Sequence, residues 1–170
     1  MSPTIRSLSR AHIPTILEAC GDWQELSHFG APYWRPRSEA ELERKVASMA
    51  GPSPAGEYNF VIVEGERLVG ECSLHSVDLR NRVAQIGVCV WNPNDRHNGY
   101  GRFGVEQMVA FGFGSLGLLR LEAWILDDNA PSLGLFRKLG FGYEGLLRQR
   151  FLVGGQAHDM HVLGLVKSSL

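Results

Sequence analysis

No apolar run in this chain approaches the roughly 20 residues that cross a bilayer. Nor does it open with a basic start followed by an apolar stretch of signal-peptide length. A membrane is therefore not an expected partner, and a cytoplasmic location is expected. Cysteine is scarce: Cys20, Cys72 and Cys89 are odd in number, widely spaced and outside any C-x-x-C pair, as expected for reduced thiols in the cytoplasm. Neither sign of charge dominates, with 17 Lys plus Arg against 18 Asp plus Glu and no basic stripe, so nucleic acid is not an expected partner. Internal repeats and low-complexity tracts are lacking too. The 170 residues suffice for one compact domain and fall short of two ordinary ones, so residues 1–170 are read as a single domain.

What the chain does have is glycine at particular places. From Arg96 to Leu116 a glycine-rich loop opens onto a stretch in which Phe103, Val105, Met108, Val109, Phe111 and Leu116 recur at helical spacing. The first N–H groups of such a helix and its positive dipole end form an anion site, best suited to a pyrophosphate. Gly99 and Gly101 allow close approach and backbone angles closed to other residues. The segment Gly99 to Gly104 fits G-x-G-x-x-G, a dinucleotide fingerprint, while Arg96 to Gly101 fits R-x-x-G-x-G. A dinucleotide fingerprint follows its strand almost directly and begins several parallel βαβ units. Here Asn92 to Asn98 intervene and too little chain follows, so the second pattern fits better.

In order, Thr4 to Leu8 reads as an edge strand and Ala11 to Cys20 as a helix with Ser9 as N-cap. Gly21 to Arg37 is irregular and rich in aromatics (Trp23, His28, Phe29, Tyr33, Trp34), which either line an acceptor pocket or fill a gap between helices. Ser38 to Met49 begins with a capping box and carries one apolar stripe. After the Gly51 to Gly56 loop, Tyr58–Val63, Arg67–Asp78 and Arg82–Trp91 read as consecutive antiparallel strands, the third apolar on both faces. Leu119 to Leu126 is a strand that the long helix makes parallel to that third one. A short helix with early Pro131 ends at Gly140, and Phe141–Val153 with Gln156–Val166 form a hairpin turning at Gly154-Gly155. The class is α+β.

Several marks occur in a specific order: the loop Arg96 to Gly101, the run Leu119 to Ala123, Asn129 with Ala130 and Ser132, Lys138-Leu139-Gly140-Phe141, and Glu144-Gly145 with Leu147-Arg148. In these the chain, over roughly Tyr58 to Val166, resembles the GCN5-related N-acetyltransferases, and within them the branch that acetylates ribosomal-protein N-termini and small amines. The resemblance implies a GNAT fold: a mixed, mostly antiparallel central sheet of six to seven strands, flanked by about four helices, with splayed central parallel strands. It implies acetyl-CoA as co-substrate, an amine acceptor (a small molecule or a peptide N-terminus) and, as is common in that branch, a homodimer. Backbone groups of Val88, Cys89 and Val90 would receive the pantetheine like an added strand. Arg96 and the amides of Asn98, Gly99, Tyr100 and Gly101 would hold the pyrophosphate. Asn129 would bond the pantetheine, although it is equally a favoured N-cap.

Transfer to an amine needs a proton acceptor, polarisation of the developing oxyanion and a donor for the departing thiolate. Ser132 matches the serine that the branch places near the thiol. The family's usual acidic strand residue and general-acid tyrosine are replaced by Gln85 and Phe136. Glu71 is then the leading candidate base, with His75 and Glu122 behind it, and release of the proton to ordered water is the alternative. Cys89 lies near the presumed thioester, but buried cysteine behaves as a small apolar residue by default. His158 and His161 fall on opposite strand faces, so no metal is expected. Asp159 matches a family aspartate whose role the sequence leaves open. The expected activity is direct acetyl transfer in a ternary complex. The rivals are a non-catalytic acyl-CoA-binding or sensory module and a nicotinamide-dependent oxidoreductase.

Overall fold

Residues 58–90 set the frame. Tyr58–Glu64 (β2), Arg67–Asp78 (β3) and Val83–Val90 (β4) are joined by turns that admit only antiparallel neighbours, and so they pair, with Phe60 opposite Cys72 and Cys72 opposite Val88. The Asp78 carboxylate accepts from the Asn81 N–H at 2.9 Å and closes the second of these turns. The computed structural model describes residues 2–168. Thr4–Ser7 (β1) pairs on β2, and Arg120–Leu126 (β5), Gly142–Val153 (β6) and Gln156–Val166 (β7) complete a seven-stranded sheet in the order β1-β2-β3-β4-β5-β7-β6. Among the described residues only β4 and β5 run parallel. Gly154 and Gly155, both with positive φ (56° and 79°), make the two-residue turn of the last hairpin.

Helices cover both faces because the central strands are apolar on both. On one side Tyr100–Ala110 (α4) and Ala130–Lys138 (α5) pack with Ile62, Leu74, Ile86 and Leu121. On the other, Ile13–Ala19 (α1), Trp23–Leu26 (α2) and Glu39–Ser48 (α3) pack with Val61, Val63, Cys89 and Trp91. Ile16 of α1 and Leu42 of α3 are fully buried, each contributing about 1.5–3 kcal/mol of anchoring. Ser38 caps α3 by accepting from the Glu41 N–H at 3.2 Å, as its capping box predicts.

Two local readings change. The aromatic stretch contains a short helix, making five rather than four, because Asp22 accepts from the Glu25 N–H at 3.1 Å and starts a turn. The long helix stops at Ala110 and widens into a π-helical turn over Phe111–Ser115, with the Leu116 N–H donating to the Phe111 carbonyl at 3.1 Å.

Candidate active site

The loop between β4 and α4 is built to face an anion. Asn92 accepts from the Asn94 N–H at 2.9 Å and starts a 3-10 turn, and Asn98 reaches back to the carbonyls of Asn94 and Asp95. His97 (φ 65°) and Gly99 (φ 86°) then both take left-handed angles, the alternation that turns successive N–H groups to one side. The Gly99 carbonyl receives the Phe103 N–H at 2.9 Å, so the amides of Tyr100, Gly101 and Arg102 are left in the first turn without intrahelical partners. A side chain at Gly99 would meet nothing within 4 Å; that position needs glycine for its angle rather than for space.

Arg96 does not lend its guanidinium to this cradle. It forms a bidentate pair with Glu25 (2.6 and 2.8 Å), donates to the carbonyls of Val90 (3.2 Å) and Trp91 (3.3 Å), and lies over the Phe29 ring. The Arg96 hydrogen bonds hold the Glu25 carboxyl below its usual value. Arg96 therefore ties the loop to α2, while the backbone amides at the start of α4 stay free.

Beside the loop the sheet opens. Pairing of β4 with β5 is confined to Val83 with Arg120, Ala84 with Leu121 and Gln85 with Glu122. Farther on β4 keeps β3 and β5 keeps β7, but the edges that face each other have no strand between them. A cavity of about 350 Å³ occupies this wedge, lined by Gln85, Gly87 and Val88 on one side, Ala123 and Ile125 on the other, and Ser132 below. Unladdered backbone groups along the wedge and free amides at the loop fit an amide-rich arm ending in a pyrophosphate. Of the strand residues expected to line it, Val88 does; Cys89 and Val90 have their side chains in the core, and the Val90 carbonyl is already taken by Arg96.

Asn129, buried, fills its capping role: Oδ1 accepts from the Ser132 N–H at 3.2 Å, and Nδ2 donates to the His28 carbonyl at 3.2 Å. Phe136 packs edge-on to Phe141, with ring centres 5.0 Å apart, and presents no proton donor.

A second cavity, about 260 Å³, lies under the aromatic stretch and shares Phe29, Ala31, His75, Gly87 and Val88 with the wedge. The aromatics thus divide: Tyr33 is buried, Phe29 lines both cavities, and Trp34 is exposed. Glu71 lies in this second cavity, where its carboxylate accepts from Arg37 Nη1 at 3.0 Å and from the Tyr33 hydroxyl. Burial pushes the Glu71 carboxyl up, but the charges of Arg37 and Lys45 outweigh it and the net displacement is downward. His75 stands where the cavities meet; a Cβ on Gly87 would come within 3.6 Å of its Nε2. Burial, then the Lys45 charge, hold its imidazole below the ordinary 6.5, so it is neutral near pH 7. Burial also pushes the thiols of Cys20 and Cys72 up to about 12, and that of Cys89 well above its ordinary value.

His158 and His161 do not meet: His158 pairs with Asp127 at 3.0 Å and His161 lies 3.3 Å from the Tyr143 hydroxyl. Asp159 has a role after all. It accepts the Gln149 N–H at 2.8 Å, where β6 bulges between Leu147 and Phe151 and Gln149 takes a φ of 48°.

The family model for the GNAT acetyltransferase domain matches residues 4–142. The chain belongs to the GNAT acetyltransferase family. An uncharacterized N-acetyltransferase, p20, from Bacillus licheniformis is 31% identical over 136 residues, covering 80% of this chain and 76% of that protein. A crystal structure of a probable acetyltransferase superposes with a TM-score of 0.84 at 23% identity, covering 97% and 93% of the two chains. The spermidine N-acetyltransferase of Vibrio cholerae in complex with CoA and spermine superposes at 0.81 and 22% identity, covering 96% and 95%. These structures share the GNAT fold with this chain, and GNAT enzymes use acetyl-CoA as co-substrate. No helix among the described residues is long and apolar enough to cross a membrane. Reading the sequence alone left out Arg37, and it placed Tyr33 and Glu25 only within the aromatic stretch, without showing that Tyr33 and Arg37 hold Glu71 or that Glu25 holds Arg96. Their signal was weak, because each acts on a partner far away in the chain.

Proposed function

We propose that this chain transfers the acetyl group of acetyl-CoA directly to a primary amine within a ternary complex. The observation that carries this reading is the early end of β4–β5 pairing, which leaves a lined wedge beside a loop of free amides. The second cavity receives the amine and meets the wedge at His75 and Gly87. His75 takes a proton from the acceptor nitrogen: it is neutral and reaches both cavities, whereas Glu71 is already ion-paired and serves to position Tyr33 and Arg37. The nitrogen forms a bond to the carbonyl carbon as the carbon–sulfur bond breaks. Of the two protons an ammonium loses, one passes to His75 and on to solvent and the other ends on sulfur. Ser132, lining the wedge, hydrogen-bonds the departing thiolate. Direct transfer is preferred to an acyl-cysteine because Cys89 is buried and its thiol is held protonated. The likeness to the ribosomal-protein branch, carried by Asn129, Ser132 and the segment Glu144 to Arg148, supports peptide N-termini or small amines as acceptors.

Calorimetric titration with acetyl-CoA and with NADH, followed by thiol release across an amine panel, tests the reading. Acetyl-CoA binds, NADH does not, and thiol is released with some amine. Ser132→Ala retains binding and loses kcat. Failure to bind acetyl-CoA refutes the reading, and binding without release on any amine gives way to the sensory module.

A further inference from the structure

The cavity under the aromatic stretch carries four charged side chains, Arg44, Lys45, Glu57 and Glu71. Three are matched. Arg44 Nη1 lies 3.1 Å from Glu57 Oε1, which also accepts from the Ser48 hydroxyl at 2.9 Å, and Glu71 is held by Arg37 and Tyr33. Lys45 is not. Among the described residues the one carboxylate within 4.0 Å of its Nζ is that of Glu41, at 3.8 Å, outside hydrogen-bond reach. The same Glu41 oxygen has no hydrogen-bond partner, and the other is taken by Arg37 Nε at 2.9 Å. The Lys45 side chain is 16% exposed, and its ammonium, with three donors and one carboxylate at 3.8 Å, lines the cavity. Such a group calls for an anion.

The remaining walls narrow the ligand. Leu8, Phe29, Pro32, Phe60 and Val88 are apolar, and 260 Å³ lies below the roughly 300–1,000 Å³ of pockets for drug-sized molecules. Resting on the acetyltransferase reading above, we infer that the acceptor is a small α-amino acid with an apolar side chain, its carboxylate received by Lys45 and its amine directed to His75. Lys45 is thus a specificity residue: it selects for the carboxylate without touching the reacting atoms.

The test compares leucine, methionine and phenylalanine with their own carboxamides and with spermidine in thiol release by the full chain. The acids are used with kcat/KM about tenfold or more above the amides, as a charge-assisted contact implies. At about pH 8, where His75 stays neutral with or without the Lys45 charge, Lys45→Met raises KM for the acids by a similar factor, leaves kcat and the amides nearly unchanged, and Lys45→Arg recovers part of the loss. Amides or spermidine used as well as the acids, or a Lys45→Met loss shared by acids and amides, overturns the inference. If acetyl-CoA binds but no amine releases thiol, the transferase reading fails separately. Titration of leucine into the CoA-loaded protein then decides: binding lost in Lys45→Met upholds the amino-acid site, and absence of binding overturns it.

Discussion

His75 and Gln85 face each other across β3 and β4, and of the two only the imidazole can take up a proton near neutral pH. Gln85 cannot, and the imidazole's basicity is depressed by burial and by the Lys45 charge. With His75 as proton acceptor, kcat at saturating substrates is level near neutrality and falls as pH drops through a value below 6.5, because protonation removes the acceptor. His75→Gln lowers kcat by about a hundredfold and removes that acid limb, whereas Glu71→Gln leaves the limb in place. A pH–rate profile of the three proteins checks this. At this scale the sequence was legible where chemistry is local: Gln85 and Phe136 could be seen to lack the usual groups. It was not legible where a side chain's partner lies far off. Glu71 looks like a free strand carboxylate until Arg37 and Tyr33 are brought to it, and nothing near Arg96 in the chain points to Glu25, 71 positions away, as its partner.

The elements around the wedge were the most legible part of the fold, since helical and strand periodicities carry them: β2 to β4, α4, β5, α5 and the last hairpin all lie close to where apolar spacing and turn residues predict. The π-helical turn and α2 were not legible. The first depends on Gly112 packing against Leu121 and Leu74, the second on a cap within a stretch whose aromatics mask any period. The loop-to-helix junction gives the sharpest prediction. A Cβ at Gly101 would make only an ordinary contact, 3.6 Å from Leu135, so a longer side chain is tolerated there. Gly101→Glu therefore folds, yet sets a carboxylate among the amides proposed to hold the pyrophosphate. Acetyl-CoA affinity falls by about a hundredfold or more in calorimetry, with the far-ultraviolet circular dichroism unchanged.

At the scale of the molecule, ligand binding and folding are linked. Acetyl-CoA at a hundred times its Kd adds about 2.7 kcal/mol, which for a chain of this size raises Tm by roughly 5–10 °C. Thermal scans show that rise with acetyl-CoA and none with NADH, and Gly101→Glu abolishes it. The two cavities are also made from different lengths of chain. The wedge takes most of its walls from residues after Val83, whereas the charged and apolar lining of the second cavity comes largely from residues 8–60, and the two meet at a handful of shared positions. On the reading proposed above, substitutions in α3 alter which amine is accepted while the strands, loop and helix that receive the acyl donor stay as they are, whereas the aromatic stretch serves both sides through Glu25, His28 and Phe29. A scaffold divided in this way lets new acceptors evolve around an unchanged donor.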